Sequence, residues 1–103
     1  MSAIDKVDFE IVKGEREPEH LRVFSLSTCA FCRRAQNFLK ENGITFSYVY
    51  IDQLDFDLKR EVKAELKSKF DTVPVYPILL IGERDAVSGF VQEKWADKLG
   101  IEA

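Results

Sequence analysis

Two cysteines separated by two residues carry the clearest chemistry in this chain. They are Cys29 and Cys32, the only cysteines among 103 residues, and they lie between an apolar run and a segment with helical spacing. If Cys29 is the N-cap of that helix, Cys32 is its third residue, and side chains at these two positions face each other. A helix N-terminus also offers unpaired N–H groups and a positive dipole end, which favour a thiolate at Cys29. The pattern therefore predicts a thiol–disulfide exchange site at a strand-to-helix junction.

The elements around the pair are predicted to be a strand, a helix and a second strand. Residues 21–26 form an apolar run that indicates a buried strand, and residues 46–51 are β-branched and aromatic, which favours another strand. Residues 30–42 have the spacing of an amphipathic helix, and Gly43 is the glycine expected to end it. The apolar positions of this helix are Phe31, Ala35, Phe38 and Leu39.

The second half of the chain predicts two more helices around a pair of strands. The first of these helices ends near Phe70 and has Asp55 or Asp57 as its cap. Residues 78–81 are the most apolar run and are predicted to be a central strand, followed by a short return strand over residues 86–87. The apolar stripes of the two helices are Leu58, Val62 and Leu66, and then Val91, Trp95 and Leu99.

The N-terminal residues 1–20 are predicted to be an extension to a domain that covers residues 21–103. Val7, Phe9 and Ile11 alternate with charged residues, which indicates one short edge strand. The order β-α-β-α-β-β-α in the rest of the chain predicts an α/β fold. We expect a four-stranded mixed sheet with helices on both faces, plus the short extension strand.

Size and charge bear on the class of protein. The chain fits one domain, and its formal net charge of −3 gives no strong attraction to nucleic acid or to anionic lipid. No window approaches the roughly 20 apolar residues of a membrane span, and the N-terminus lacks the apolar stretch of a signal peptide. We therefore expect a cytoplasmic monomer with no nucleic-acid or membrane partner. In a reducing compartment, a lone close cysteine pair is more often catalytic or metal-binding than a structural disulfide.

Four short segments match sequence motifs of one known family. They are Val-Phe-Ser at 23–25 leading to Thr-Cys-Ala-Phe-Cys at 28–32, Gly-Ile at 43–44, Thr-Val-Pro at 72–74 and Val-Ser-Gly-Phe at 87–90. Together with the order of elements, they resemble the thioredoxin superfold and, within it, the glutaredoxin family. The resemblance implies electron transfer to disulfides in proteins, or to mixed disulfides with small thiols. It also implies that Cys29 attacks, that Cys32 resolves the mixed disulfide, and that a cis-proline faces the pair.

Two prolines compete for the cis position. Pro74 matches the family's usual letters, whereas Pro77 opens the apolar strand and stands at the more family-like distance from Ser88 and Gly89, so we favour Pro77. The resemblance implies that the residue before the cis bond offers its backbone N–H and C=O to an extended substrate. The substrate-binding residues expected on this basis are Thr28, Phe31, Tyr76, Pro77, Ser88 and Gly89.

The reductant stays open, because the sequence departs from the family near the motif. Ala30 replaces the usual proline, and Leu26 replaces a lysine that contacts the glycine carboxylate of glutathione. Ser-Gly-Phe at 88–90 resembles instead the glutaredoxin-like redoxins that donate electrons to ribonucleotide reductase and are recharged by thioredoxin reductase. No resident cofactor is expected. The candidate reductants are glutathione, another small thiol and a flavoenzyme of the thioredoxin reductase type.

Two metal hypotheses compete with thiol exchange. A zinc site needs about four ligands, and His20 is the only histidine, so no metal site is expected. The alternative function is an iron–sulfur carrier that bridges a [2Fe-2S] cluster in a dimer, with the first cysteine and a small thiol as ligands. Ala30 is compatible with it, whereas the intact Cys32 argues against it. Arg33 and Arg34 either guide an anionic thiol or form an ordinary solvated helix face.

Overall fold

A mixed β-sheet runs through the middle of the protein. The computed structural model describes residues 2–17, 19–83 and 85–101. Within them the strands are β1 (Glu10–Val12), β2 (Leu21–Ser25), β3 (Phe46–Tyr50), β4 (Ile78–Ile81) and β5 (Asp85–Ser88), in the spatial order β1-β3-β2-β4-β5. β2 and β3 are parallel, and the other neighbouring strands are antiparallel. The predicted mixed sheet is therefore confirmed, with the extension strand as its fifth member.

The helices of the described residues cover both faces of this sheet, as predicted. They are α1 (Ala30–Glu41), α2 (Phe56–Phe70) and α3 (Gln92–Leu99). α1 and α3 share one core cluster with Leu21 and Val23, and α2 shares the other with Phe24. Alternate residues of β2 thus point to opposite faces, and the whole strand is buried because it is the central one. None of these helices is long and apolar enough to cross a membrane.

Helix α1 differs from its prediction at its first turn. Its C-terminus is as expected, because Gly43 has a φ of 66° and the Ile44 N–H donates to the Leu39 carbonyl at 2.9 Å. Phe31, predicted to lie on the apolar face, is instead 56% exposed, and Cys32 is the buried residue of this turn. Cys32 faces the loop after β2, and this orientation turns Phe31 outward.

The other two helices begin at polar or extended residues. Asp55 rather than Asp57 caps α2, because its carboxylate accepts the Leu58 N–H at 3.1 Å. Trp95 of α3 is fully buried, as predicted. The prediction is wrong for Val91, which is the extended N-cap of α3 and is 50% exposed rather than part of its apolar stripe.

The N-terminal segment packs on the α2 side of the sheet. Ile4 and Val7 are buried in the cluster that contains Phe24, and the Ile4 N–H donates to the Glu65 carboxylate at 3.1 Å. A 3-10 turn over Ile4–Lys6 brings Val7 to the core, and β1 begins only at Glu10. The predicted strand is therefore wrong at Val7 and Phe9 and right at Ile11. The division into residues 1–20 and residues 21–103 stays a prediction.

Three chain segments meet at one end of the sheet. Phe24 of β2 pairs with Ile78 of β4, and Ile78 pairs with Ser88 of β5. Beyond these pairs, the Gly89 N–H donates to the Pro77 carbonyl at 2.8 Å. The loop after β2, the loop before β4 and the loop after β5 therefore surround a common surface.

Candidate active site

Cys29 is the N-cap of α1, as its spacing from Cys32 predicted. Its backbone is extended, with φ −104° and ψ 118°, and its Sγ accepts the Cys32 N–H at 3.2 Å. Both cysteines are free thiols, and Cys29 is partly exposed. The Cys29 sulfur thus lies at the N-terminal end of α1, where the helix dipole is positive and one backbone N–H points at the sulfur.

Cys32 lies behind Cys29 and is only 1% exposed. Burial raises the pKa of the Cys32 thiol to about 12, and its hydrogen bond with Cys29 and the Cys29 charge act in the same direction. The Leu26 N–H, 3.4 Å from Cys32 Sγ, lowers this pKa, and so does the Ser25 hydroxyl. The two sulfurs therefore differ sharply in access to solvent.

Two buried polar side chains adjoin Cys32. Ser25, at the end of β2, is 0% exposed and Gln36 of α1 is 6% exposed. The Gln36 side-chain amide donates to Ser25 Oγ at 3.1 Å. Sequence analysis missed both. The available signal was a polar residue inside a buried strand and another four positions after Cys32 on the same helix face.

The turn that leads to Cys29 is held by an aspartate from the neighbouring strand. The Cys29 N–H donates to the Leu26 carbonyl at 3.3 Å, and within this turn Ser27 donates to Asp52 through its N–H at 3.0 Å and its hydroxyl at 2.6 Å. The hydrogen bond from the Ser27 hydroxyl lowers the pKa of Asp52. Asp52 was also missed, although it follows β3 at the end where parallel β2 finishes.

The opposite wall of the site is the loop before β4. The Tyr76–Pro77 bond is cis, as the sequence analysis favoured, whereas the Val73–Pro74 bond is trans. Pro77 is buried and Tyr76 is half-buried. Burial raises the pKa of Tyr76, and proximity to Cys32 adds to the shift. The Tyr76 side chain thus lies close enough to Cys32 to be affected by its charge, and Pro77 follows it in the same loop.

The end of β5 is tied to the same loop. Ser88 Oγ accepts the Val73 N–H at 3.1 Å, and the Gly89 N–H is shared between the carbonyls of Val75 and Pro77 at 2.9 and 2.8 Å. Ser88 and Gly89 therefore shape the wall by holding its backbone.

Thr28 and Phe31 are exposed on the cysteine side of the site. Arg33 and Arg34 are exposed as well, and the Arg34 guanidinium lies over the Phe31 ring at 5.4 Å from its centroid. This contact places Arg34 on the exposed surface of α1, against Phe31. The choice between a thiol-guiding role and a solvated face stays a prediction.

Residues 2–17, 19–83 and 85–101 contain no cluster of three His, Cys, Asp or Glu side chains that could hold a metal ion. His20 is exposed in the loop before β2. The bridged iron–sulfur cluster, which draws its ligands from two copies and from small thiols, stays a hypothesis.

Several solved structures are similar to this one over most of its length. The glutaredoxin of Methanosarcina mazei Go1 is 26% identical, with a TM-score of 0.79, over 92% of this chain and 90% of that chain. Methanoredoxin of Methanosarcina acetivorans shares the fold with the same TM-score of 0.79 at 23% identity, over 92% and 97% of the two chains. A glutaredoxin of Archaeoglobus fulgidus is 28% identical, with a TM-score of 0.67, over 77% and 84%.

The sequence comparisons give the family. No curated protein matches the chain. A family model described as Glutaredoxin matches residues 21–84, which is more than half of the chain and includes the cysteine motif, the first two helices and strands β2 to β4. The chain belongs to the glutaredoxin family.

Proposed function

We propose that this protein is a dithiol oxidoreductase that reduces disulfides, with Cys29 as the attacking thiol and Cys32 as the resolving thiol. The observation that carries this proposal is the unequal placement of the two sulfurs. Cys29 is partly exposed at a helix N-cap, whereas Cys32 is buried behind it. A substrate disulfide therefore reaches Cys29 first, and Cys32 is held ready for the second step.

The reaction consists of two exchanges. The Cys29 thiolate attacks one sulfur of the substrate, forms a mixed disulfide and releases the other substrate sulfur as a thiolate, which takes up a proton. The Cys32 sulfur, having lost its proton, then attacks Cys29 Sγ and forms the Cys29–Cys32 disulfide. The second substrate thiol leaves with that proton. Two electrons have passed to the substrate, and a thiol or reductase must return two to the protein.

Cys29 adds to the effect of burial on the acidity of Cys32. Two of the causes that raise the pKa of Cys32, the hydrogen bond with Cys29 and its charge, come from Cys29 itself. A mixed disulfide removes both, because the sulfur of Cys29 is then bonded and uncharged. The Leu26 N–H remains in contact with Cys32 Sγ. Cys32 is therefore more acidic when a substrate waits on Cys29 than in the resting protein.

The loop before β4 supplies the surface for the substrate backbone. In the part of the chain that the structure describes, neither the N–H nor the C=O of Tyr76 makes a backbone hydrogen bond, so both can pair with an extended segment. We assign Tyr76 and Pro77 to substrate binding on this basis, with Thr28 and Phe31 on the cysteine side. Ser88 and Gly89 hold the loop from behind.

The electron donor that we propose is a small thiol or a flavoenzyme, and two observations bear on which one. A buckwheat glutaredoxin that shares the fold at 23% identity was solved with glutathione. Leu26 occupies the position of the lysine expected to hold a glutathione carboxylate. A coupled assay that compares glutathione, other small thiols and a thioredoxin reductase as donors distinguishes these possibilities.

Single-cysteine variants test the assignment of roles. Cys32→Ser is expected to retain attack and to accumulate a mixed disulfide on Cys29, seen by intact mass spectrometry as one added substrate thiol. Cys29→Ser is expected to lose disulfide reduction by more than about a hundredfold, since the remaining thiol is buried and weakly ionised.

Two outcomes would contradict the assignment. One is full activity of Cys29→Ser, and the other is an adduct carried by Cys32 in that variant. A coloured dimer after anaerobic reconstitution with iron and sulfide, together with no disulfide reduction by the wild-type protein, would favour the iron–sulfur carrier instead.

A further inference from the structure

The polar pair behind Cys32 is out of place for a core of this size. Ser25 and Gln36 lie among buried apolar residues of β2 and α1, such as Val23, Ala35 and Leu39. Burying a hydroxyl and an amide costs free energy unless they are hydrogen-bonded, and an apolar pair would fill the same space without that cost. Their position beside a reacting sulfur indicates a chemical use for them.

The Gln36 amide fixes the direction of the Ser25 hydroxyl. A hydroxyl has one hydrogen to donate and two lone pairs that accept. Because Ser25 Oγ accepts the Gln36 N–H at 3.1 Å, its own hydrogen stays available for another acceptor, and Cys32 Sγ lies close enough for this hydroxyl to lower its pKa. The Leu26 N–H approaches the same sulfur at 3.4 Å. Cys32 therefore has one neutral donor in contact, the Leu26 N–H, and a second one nearby, the Ser25 hydroxyl.

A thiolate at Cys32 is stabilised here by uncharged hydrogen-bond donors. The ionisable groups that act on this sulfur are Cys29 at the N-cap of α1 and Tyr76 in the loop before β4. Burial raises the pKa of Tyr76, so its phenol is uncharged at neutral pH, and Cys29 is uncharged in a mixed disulfide. No carboxylate among the described residues contributes to the pKa of Cys32.

We propose that Ser25 donates a hydrogen bond to the Cys32 thiolate while it attacks the mixed disulfide, and that Gln36 is the positioning residue that holds the hydroxyl in this direction. The proposal rests on the proposed function, whose second step it concerns. In that step the bond between Cys32 and Cys29 forms as the bond between Cys29 and the substrate sulfur breaks. The electron pair leaves on the substrate sulfur, which takes the proton lost by Cys32. Ser25 keeps its own proton throughout.

A chromogenic disulfide separates the two exchanges. Reduced protein mixed with an equimolar amount of dithiobis(nitrobenzoate) releases one coloured thiolate when Cys29 attacks and a second one when Cys32 resolves. Ser25→Ala is expected to leave the first release unchanged and to slow the second by about three- to fifteenfold. A hydrogen bond to a charged acceptor changes an ionisation equilibrium by about ten- to a hundredfold, and the greater nucleophilicity of a less acidic thiolate recovers about half of that on a logarithmic scale.

Two further variants distinguish donation from packing. Ser25→Thr keeps the hydroxyl and is expected to restore the second release to within about twofold of wild type, whereas Gln36→Met keeps the volume without the amide donor and is expected to slow that release by about two- to fourfold. In Ser25→Ala the pH profile of the second release moves to higher pH, because the thiolate forms less readily. Thermal melts of all the variants check that each one folds.

The two releases show whether a failure concerns the roles of Ser25 and Gln36 or the proposed function itself. An unchanged second release in Ser25→Ala or Gln36→Met would overturn the role of the residue concerned. A slow second release in Ser25→Thr, with the pH profile of wild type, would assign Ser25 to packing and also overturn the proposal. If wild type itself shows no first release from Cys29, the proposed function fails. If wild type shows the first release and the second release is unaffected in all of these variants, the proposed function is retained but the role of Ser25 as a hydrogen-bond donor is overturned.

Discussion

The Asp52 carboxylate holds the turn that carries Cys29 to the surface. It accepts two hydrogen bonds from Ser27, and that from the Ser27 hydroxyl keeps the pKa of Asp52 below its usual value. A carboxyl whose pKa is lower in the folded protein stabilises it fully above the unfolded pKa, near pH 4. That contribution is lost as the pH falls through the folded pKa. The geometry of the turn is therefore constant at neutral pH and loosens in acid.

Replacing Asp52 tests this role at the level of one residue. Asp52→Ala is expected to slow the attack of Cys29 on a small disulfide by about two- to tenfold at neutral pH, because each lost hydrogen bond contributes a modest stabilisation to the turn. Stopped-flow rates measure the effect. Glu61→Ala, which removes an exposed carboxylate in α2, is the control. Equal rates for the two variants would show that Asp52 does not position Cys29.

Some residues of the site are positioned by neighbouring residues in the sequence, and others are positioned by the pairing of distant strands. The positions of Cys29 and Cys32 at the start of α1 could be predicted from the sequence, because a spacing of three residues at a helix start places both sulfurs without reference to the rest of the fold. Asp52 lies 25 residues from Ser27 along the chain and meets it only because β2 and β3 are parallel and in register. The contact between Asp52 and Ser27 could therefore not be predicted before the strand order of the sheet was known.

At the scale of elements, Gly89 joins the end of β5 to the loop before β4. Its φ is 79°, its N–H is shared by the carbonyls of Val75 and Pro77, and a Cβ at this position would lie 3.2 Å from Val75 Cγ1. Gly100 provides a comparison, because it has a similar φ of 69° at the end of α3 and nothing within 4 Å of a Cβ. Substitution at either glycine strains the backbone, but only one of them borders the site.

This contrast gives a matched pair of variants. Both Gly89→Ala and Gly100→Ala are expected to reduce the free energy of unfolding by about 1–2 kcal/mol, the cost of a left-handed conformation for a residue with a Cβ. Gly89→Ala is also expected to lower the rate of disulfide reduction severalfold, since Val75 and the loop with Tyr76 must move. Urea denaturation and the reduction assay measure the two effects. Similar activity in both variants would contradict the link between this loop and the substrate.

The helices could be predicted from periodicity, but their ends could not be predicted fully. Helical spacing shows which residues share a face, and it gave the buried Ala35, Leu39 and Trp95. It does not show where that face meets the sheet. Phe31 and Val91 have the right spacing, yet each lies at the start of its helix and is exposed.

At the scale of the whole molecule, the first residues of the chain take part in the core. Ile4 is 2% exposed and belongs to the cluster under α2, whereas Ile11 of β1 is 65% exposed at the sheet edge. The alternating pattern in this segment predicted a strand. It could not show that a 3-10 turn sends Ile4 and Val7 inward, because that depends on the apolar surface offered by Phe24 and α2.

Two isoleucine variants measure how far this segment supports the fold. Ile4→Ala is expected to lower the free energy of unfolding by about 2–4 kcal/mol, because it removes buried methyl groups and leaves a cavity. Ile11→Ala is expected to change it by less than about 0.5 kcal/mol, as for other exposed positions. Denaturant titration provides both values. If Ile4→Ala were as stable as Ile11→Ala, the first residues would be an extension that contributes nothing measurable to the free energy of unfolding.

The depth of Cys32 has a consequence for damage by peroxide. A peroxide that reaches Cys29 converts its thiolate to a sulfenic acid, which a second peroxide would oxidise irreversibly to a sulfinic acid. Cys32, shielded from solvent and one helical turn away, is spared the oxidant and stands ready to condense with the sulfenic acid, releasing water. The product is the same Cys29–Cys32 disulfide that closes the proposed catalytic cycle, so the reductant of that cycle would return it to two thiols. The buried thiol thus makes an oxidative injury to Cys29 reversible.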